Sequence, residues 1–179
     1  MNRLPNPGRR HPSGAFAPRL GLYPMELSRN LRVDSVARLE PTSPEALDVD
    51  VPVSRAVAVM RYQRIGCLLV TADERLVGIF TERDLLTRIL GRDRPLDTPL
   101  RLCMTAGPVT VNPKDSVRTA IRRMEKGGYR HLPVVDEAAR PVGILSARRV
   151  VHYLVEHFPG IVFNQPPQPN QYPDSAEGA

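Results

Sequence analysis

The chain has 179 residues, a length that suits one domain or a tight pair of half-domains. It is 41% hydrophobic but has no Trp and only 5% aromatics, so its core must be aliphatic, and no apolar run approaches the roughly 20 residues of a membrane span. The net charge is +6, yet residues 1–32 hold most of it: Arg3, Arg9, Arg10, Arg19, Arg29 and Arg32 face Glu26 alone, and the rest is close to neutral.

In chain order, Pro5, Pro7, Pro12, Pro18 and Pro24 with little periodicity predict a disordered basic arm over residues 1–24. This arm lacks the apolar segment of a secretory signal. Leu27, Leu31 and Val33 to Leu39 predict a short lead-in helix. A strand follows at Ala46 to Val49, then a helix from Val53 to Gln63 with apolar residues at i, i+3, i+4 and i+7. Gly66 to Val70 and Arg75 to Phe80 read as strands joined by the turn Ala72-Asp73-Glu74. Thr81 opens a helix through Leu85, Leu86, Ile89 and Leu90, with Gly91 as its stop. Thr98-Pro99 reads as an N-cap with Pro at N1, starting a second lead-in helix toward Met104. Then come a strand at Val109 to Val111, a helix from Ser116 to Lys126 closed by Gly127-Gly128, strands at Leu132 to Val135 and Pro141 to Leu145, and a helix from Ser146 to His157. A second Pro-rich segment, 159–179, is also expected to be disordered.

The second half repeats the first. Leu76-Val77-Gly78-Ile79-Phe80-Thr81-Glu82-Arg83-Asp84 matches Pro141-Val142-Gly143-Ile144-Leu145-Ser146-Ala147-Arg148-Arg149 position for position. Val53, Ala56, Val57 and Met60 match Val117, Ala120, Ile121 and Met124 at an offset shorter by one. Two copies of a half-domain bury their apolar faces against each other. The expectation is an α/β fold of two β-α-β-β-α repeats with short mixed sheets, residues 25–91 and 92–158, each with its lead-in.

Two readings of partners stay open. The arm's charge fits nucleic-acid or scaffold binding, although only Lys114 and Lys126 among the 25 basic residues are lysines, which fits a coding bias equally well. Cys67 and Cys103 sit in apolar contexts and read as buried reduced thiols of a cytoplasmic protein. His152 and His157, five apart on a helix, share no face and have no partner at metal-ligand spacing. No phosphate loop, nucleophile elbow or zinc-protease helix is present, so neither a metal nor catalysis is expected.

The duplicated β-α-β-β-α order, the Gly-h-h-Thr/Ser-x-x-Asp block (h apolar), Gly128-Tyr129-Arg130-His131-Leu132-Pro133-Val134-Val135-Asp136 and Met104-Thr105 together resemble a tandem CBS-domain pair, the regulatory module named after cystathionine β-synthase. The resemblance covers about residues 31–158. It implies two clefts for adenosine-containing ligands (AMP, ADP, ATP or S-adenosylmethionine), a homodimeric disc and an unidentified regulated protein. In the first cleft it implies Thr81 and Asp84 on the ribose, Arg130 and His131 on phosphate, and Leu47, Asp48, Cys67 and Leu68 along the base. An acceptor-only carboxylate suits two hydroxyl donors, although Thr81 to Asp84 also fits a helix-capping box needing no ligand, and the base-lining residues fit core packing equally. In the second cleft Thr110 and Ser146 match the pattern, but Arg149 replaces the aspartate. That cleft is either empty or, with Arg148, an anion site. The dimer face implied includes Leu85, Leu86 and Ile89 with Val150, Val151 and Leu154.

Overall fold

The computed structural model describes residues 23–159; most of the expected arm and tail, including Arg3 to Arg19, lies outside them. Tyr23 and Pro24 move the arm's boundary, because they open helix α1 (Tyr23–Val33). Pro is tolerated there, where the first-turn N–H has no helical partner. The single lead-in helix expected through Leu39 is two pieces. Ser35 is extended and bridges Ser116, and the Val36 amide donates to the Asp115 carbonyl, so the chain leaves the helix before a tight turn at Val36–Leu39.

The first repeat is β1 (Ala46–Asp48), α2 (Val53–Gln63), β2 (Cys67–Ala72), β3 (Arg75–Thr81) and α3 (Glu82–Asp84). Asp73 and Glu74 both adopt left-handed backbone (φ 47° and 62°), the geometry that lets a two-residue turn follow the strand twist. The helix expected from Thr81 to Leu90 is not regular. After Asp84 it widens into a π-type turn at Leu85–Ile89 and tightens at Leu90–Arg92. The Thr87 hydroxyl bonds back to the Arg83 carbonyl at 2.7 Å, a contact that bends helices. Gly91 is no C-terminal stop; it sits inside the tight turn, and Asp93 takes the left-handed position.

Thr98 does not cap a helix. Its hydroxyl donates to the Pro95 carbonyl (2.6 Å), and the segment that follows is a short 3-10 turn, Leu100–Leu102. The second repeat then runs β4 (Thr105–Ala106), α4 (Val117–Gly127), β5 (His131–Val135), β6 (Pro141–Ser146) and α5 (Ala147–His157). Ser116 caps α4 by accepting from the Thr119 amide, and Gly128 (φ 63°) ends it. The strand expected at Val109 to Val111 is reduced to one parallel bridge, Val111 to Val134.

One sheet has the order β1-β2-β3-β4, with β1 parallel to β2 and the others antiparallel; the second is the β5-β6 hairpin. The bridges Val111–Val134 and Thr42–Ile144 extend the hairpin as β1 and β4 extend the first sheet. Cys67, Leu69, Ile79 and Ile144 form an apolar layer of their own. Each repeat has a further core, and the lead-ins are exchanged between them. Val36 and Leu39, which precede the first repeat, pack with Val117, Leu132 and Leu145 of the second. Leu100 and Cys103, which precede the second, pack with Val53, Leu68 and Phe80 of the first.

The two glycines of the repeated motif admit these exchanged chains. A Cβ on Gly78 would lie 2.2 Å from Met104 Sδ, and one on Gly143 would lie 2.9 Å from Pro41 Cβ. The exchange also decides which helix residues remain free. Ile89 and Val150 belong to the cores and cannot serve a dimer face, whereas Leu86 and Val151 are 60% and 57% exposed. No described helix is long and apolar enough to cross a membrane.

Candidate functional site

The turn from β3 into α3 is built around one carboxylate. Asp84 is 6% exposed, and its Oδ2 accepts from the Thr81 amide at 3.0 Å and the Thr81 hydroxyl at 2.6 Å. The Asp84 amide in turn donates to the Thr81 hydroxyl at 3.3 Å, which completes a capping box. Oδ1 has different partners: the Thr105 hydroxyl of β4 at 3.1 Å and Arg88 Nε at 3.3 Å. The carboxylate thus accepts three hydrogen bonds and faces one guanidinium, all from within the protein.

Arg88 does more than neutralise Asp84. Its guanidinium also donates to the Cys103 carbonyl (3.3 Å), the Met104 carbonyl and the Thr105 hydroxyl (3.3 Å). It therefore fastens the exchanged lead-in to the helix that carries Asp84. An arginine one helical turn beyond an aspartate is a readable pair; its reach across to the segment around Met104 is not.

The remaining first-cleft residues divide between surface and core. The Asp48 carboxylate accepts from the Asp50 amide (2.9 Å) and belongs to an exposed turn. Leu47 is half-buried against the first core, and Leu68 is fully buried within it, which favours core packing over a role for its side chain in lining a cleft. Cys67 faces the Leu69, Ile79 and Ile144 layer, and burial with the nearby Glu82 charge pushes its thiol up to about 11. Burial likewise raises Cys103. Both thiols are protonated and inert near neutral pH.

Arg130 is exposed, and its carbonyl accepts from the Ala147 amide at the start of α5 (2.9 Å). His131 is half-buried at the start of β5, paired in register with Ser146. Burial and then the Arg130 charge lower its pKa, while Glu82, beside Thr81 in the other repeat, pulls the opposite way. A neutral imidazole offers one N–H donor, so charge for a phosphate would have to come from Arg130.

The second turn keeps half of the first one's design. The Ser146 hydroxyl accepts from the Arg149 amide at 3.3 Å, so the cap survives on one side although the acid is gone. Arg149 reaches Glu40, in the exchanged lead-in, at 3.5 Å. Each turn is thus tied to the opposite lead-in, the first through the neutral Thr105 hydroxyl and the second through an ion pair. Thr110 is half-buried, and its carbonyl accepts from Arg123, which also pairs with Asp115 (both 2.7 Å).

A cavity of about 350 Å³ lies beside the first turn, between α2 and α3, lined by Val57, Met60, Arg61, Ile65, Glu82 and Leu85 among others. Nothing in the linear pattern marks it, because its apolar residues are read as core positions.

The family model for the CBS domain matches residues 36–91 and 100–156, one match per repeat. The chain belongs to the CBS domain family. A 17.7 kDa protein of Acidianus ambivalens is 30% identical over 122 residues, 68% of this chain and 73% of its own length. A CBS domain-containing protein of Arabidopsis thaliana is 29% identical over 115 residues, but these cover only 21% of its length. Among solved structures, a CBS-domain protein from Agrobacterium tumefaciens is 30% identical with a TM-score of 0.60, covering 67% of this chain and 98% of its own. A CBS domain protein from Pyrobaculum aerophilum, solved as a complex with AMP, is 26% identical with a TM-score of 0.62, covering 69% and 99%.

Within the family's Thr/Ser-x-x-Asp pattern, sequence reasoning reached Thr81, Asp84 and Ser146. It missed Arg88 and any role for Thr105, both of which depend on the exchanged lead-in. It also left Arg149 without a partner, which Glu40 supplies.

Proposed function

We propose that this CBS pair is a regulatory rather than catalytic module, which binds an adenosine-containing ligand of the AMP, ADP, ATP or S-adenosylmethionine class at the Thr81–Asp84 turn and signals to a partner protein as a homodimer. What carries the reading is Asp84: a carboxylate held in fixed orientation by a capping box, in a chain whose 26%-identical relative was solved with AMP. Oδ2 is committed to Thr81 at short range, while Oδ1 has the two longer contacts, so Oδ1 is the atom open to exchange with a ribose hydroxyl. Arg130 supplies the fixed positive charge for phosphate. Binding regulates only if the ligand prefers one arrangement of the repeats over another.

Calorimetry with AMP, ADP, ATP and S-adenosylmethionine tests this. The expected result is binding by one of them, weakened roughly tenfold or more in Asp84→Ala, because hydrogen bonds to charged groups contribute about 1.5–3 kcal/mol. Melting must be followed beside binding. A folded Asp84→Ala that binds like wild type would show that the turn is only a helix cap.

A further inference from the structure

We propose that Thr105 and Arg88 form a latch on Asp84, which an adenosine ligand must open in order to bind. This rests on the reading of Asp84 as the ribose acceptor. The two partners of Oδ1 are the Thr105 hydroxyl at 3.1 Å and Arg88 Nε at 3.3 Å, and Arg88 also holds the Thr105 hydroxyl at 3.3 Å. Oδ2 is filled by Thr81, and Oδ1 lies beneath Thr105 and Arg88, so that Asp84 is only 6% exposed. A ribose hydroxyl reaches this covered oxygen by moving one of the two groups that face it aside. Thr105 is the replaceable one, because Arg88 keeps its hold on the Cys103 and Met104 carbonyls.

The segment that would yield is small and bounded. Leu100 and Cys103 anchor the lead-in in the first repeat's core, both fully buried. Beyond them the pairing with β3 is short: Thr105–Ile79, Ala106–Gly78 and the Gly107 amide on the Val77 carbonyl. It ends at Gly107, which has φ +55° and open space where a Cβ would stand. Opening the latch therefore frees Thr105 and Ala106 between Met104, which stays packed on the first core, and a glycine pivot. The second turn has no such latch: its arginine faces Glu40 across an exposed pair.

Two measurements decide the matter. Thr105→Val keeps a β-branched side chain in the strand but removes the donor, and its AMP affinity should rise roughly five- to tenfold, since nothing is displaced from Asp84. In the wild-type protein, AMP should speed hydrogen exchange at the Gly107 amide, whose bond to the Val77 carbonyl (3.0 Å) reports the β3–β4 pairing. AMP binding to Thr105→Val but not to wild type would support the latch most strongly. If wild type binds AMP through Asp84 while Thr105→Val binds no tighter and the Gly107 amide is not exposed, the latch is wrong and the ligand site stands. If neither protein binds AMP, ADP, ATP or S-adenosylmethionine, both the latch and the site reading fall. Should Thr105→Val fail to fold, the exchange measurement on wild type decides alone.

Discussion

Arg88 and Tyr153 occupy the same position of the two repeats, and each fastens the lead-in that belongs to the other copy. Arg88 bonds to Cys103, Met104 and Thr105; the Tyr153 hydroxyl donates to Asp34, which also pairs with Arg38 at 3.0 Å. Unrelated side chains have taken over one mechanical task. Burial and the Asp34 carboxylate hold the Tyr153 phenol well above its usual pKa, which keeps it a donor.

Removing either fastener should therefore loosen the segment it holds. Tyr153→Phe is expected to cost about 1–2 kcal/mol, which lowers Tm by roughly 2–8 °C for a chain of this size. Arg88→Met should cost a similar amount. Hydrogen exchange would separate them: Tyr153→Phe should expose the amides around Val36, and Arg88→Met those around Thr105.

The motif glycines make an asymmetric prediction. A methyl group at Gly143 meets Pro41, which is rigid, whereas one at Gly78 meets Met104, which can change rotamer. Gly143→Ala should cost about 1–3 kcal/mol by overpacking, and Gly78→Ala less, although the initial approach there is closer. Denaturant midpoints of the two variants provide the check. A larger loss for Gly78→Ala would mean that Met104 is held as firmly as Pro41.

His131 gives the fold a pH dependence whose sign is fixed. Burial and Arg130 lower its folded pKa, so the unfolded chain binds the proton more readily. Its contribution to stability is full above the unfolded value of about 6.5 and is lost as pH falls below it. Tm profiles between pH 8 and pH 5 should fall toward acid in wild type, and less steeply in His131→Asn. Equal slopes would show that His131 is not the group responsible.

The proposed homodimer is tested at the apolar residues left exposed on the two repeats. Leu86 and Leu90 are 60% and 58% exposed on one repeat, and Val151 is 57% exposed on the other. Sedimentation should show a dimer at tens of micromolar, and Leu86→Glu with Val151→Glu should give a folded monomer. Ile89→Ala should instead cost about 2–5 kcal/mol of stability, because Ile89 fills a core rather than a contact face.

Much of the architecture was legible because it is local. The i, i+3, i+4 spacing of Val53, Ala56, Val57 and Met60 marked α2 with both of its ends, and the apolar runs on either side of the turn Ala72-Asp73-Glu74 marked the β2–β3 hairpin. Thr81 and Asp84 were legible as a capping box for the same reason. What could not be read depends on partners far along the chain. Whether Ile89 faces a core or a partner is settled by where Leu100 and Cys103 pack, and no periodicity in residues 82–92 contains that information. The widened turn at Leu85–Ile89 has a local contributor, the Thr87 bond to Arg83, but a threonine on a helix surface does not by itself announce a π turn. Arg149 looked anomalous because its partner, Glu40, stands ahead of the first repeat, at the other end of the module.

The crossing of the lead-ins also sets a timetable for a chain made from its N-terminus. Val36 and Leu39 emerge early, yet the surfaces that cover them include Val150, Tyr153 and Phe158, which are among the last of the module to be made. The first repeat likewise stays open until Leu100 and Cys103 have been added. The first core closes once that lead-in is made, but the second, with Val36 and Leu39 in it, is completed only when nearly the whole module has been synthesised. Such distant pairings slow the search for the native state. They also mean that a ribosome pausing between the repeats would leave both apolar surfaces bare, to be guarded by chaperones or lost to aggregation.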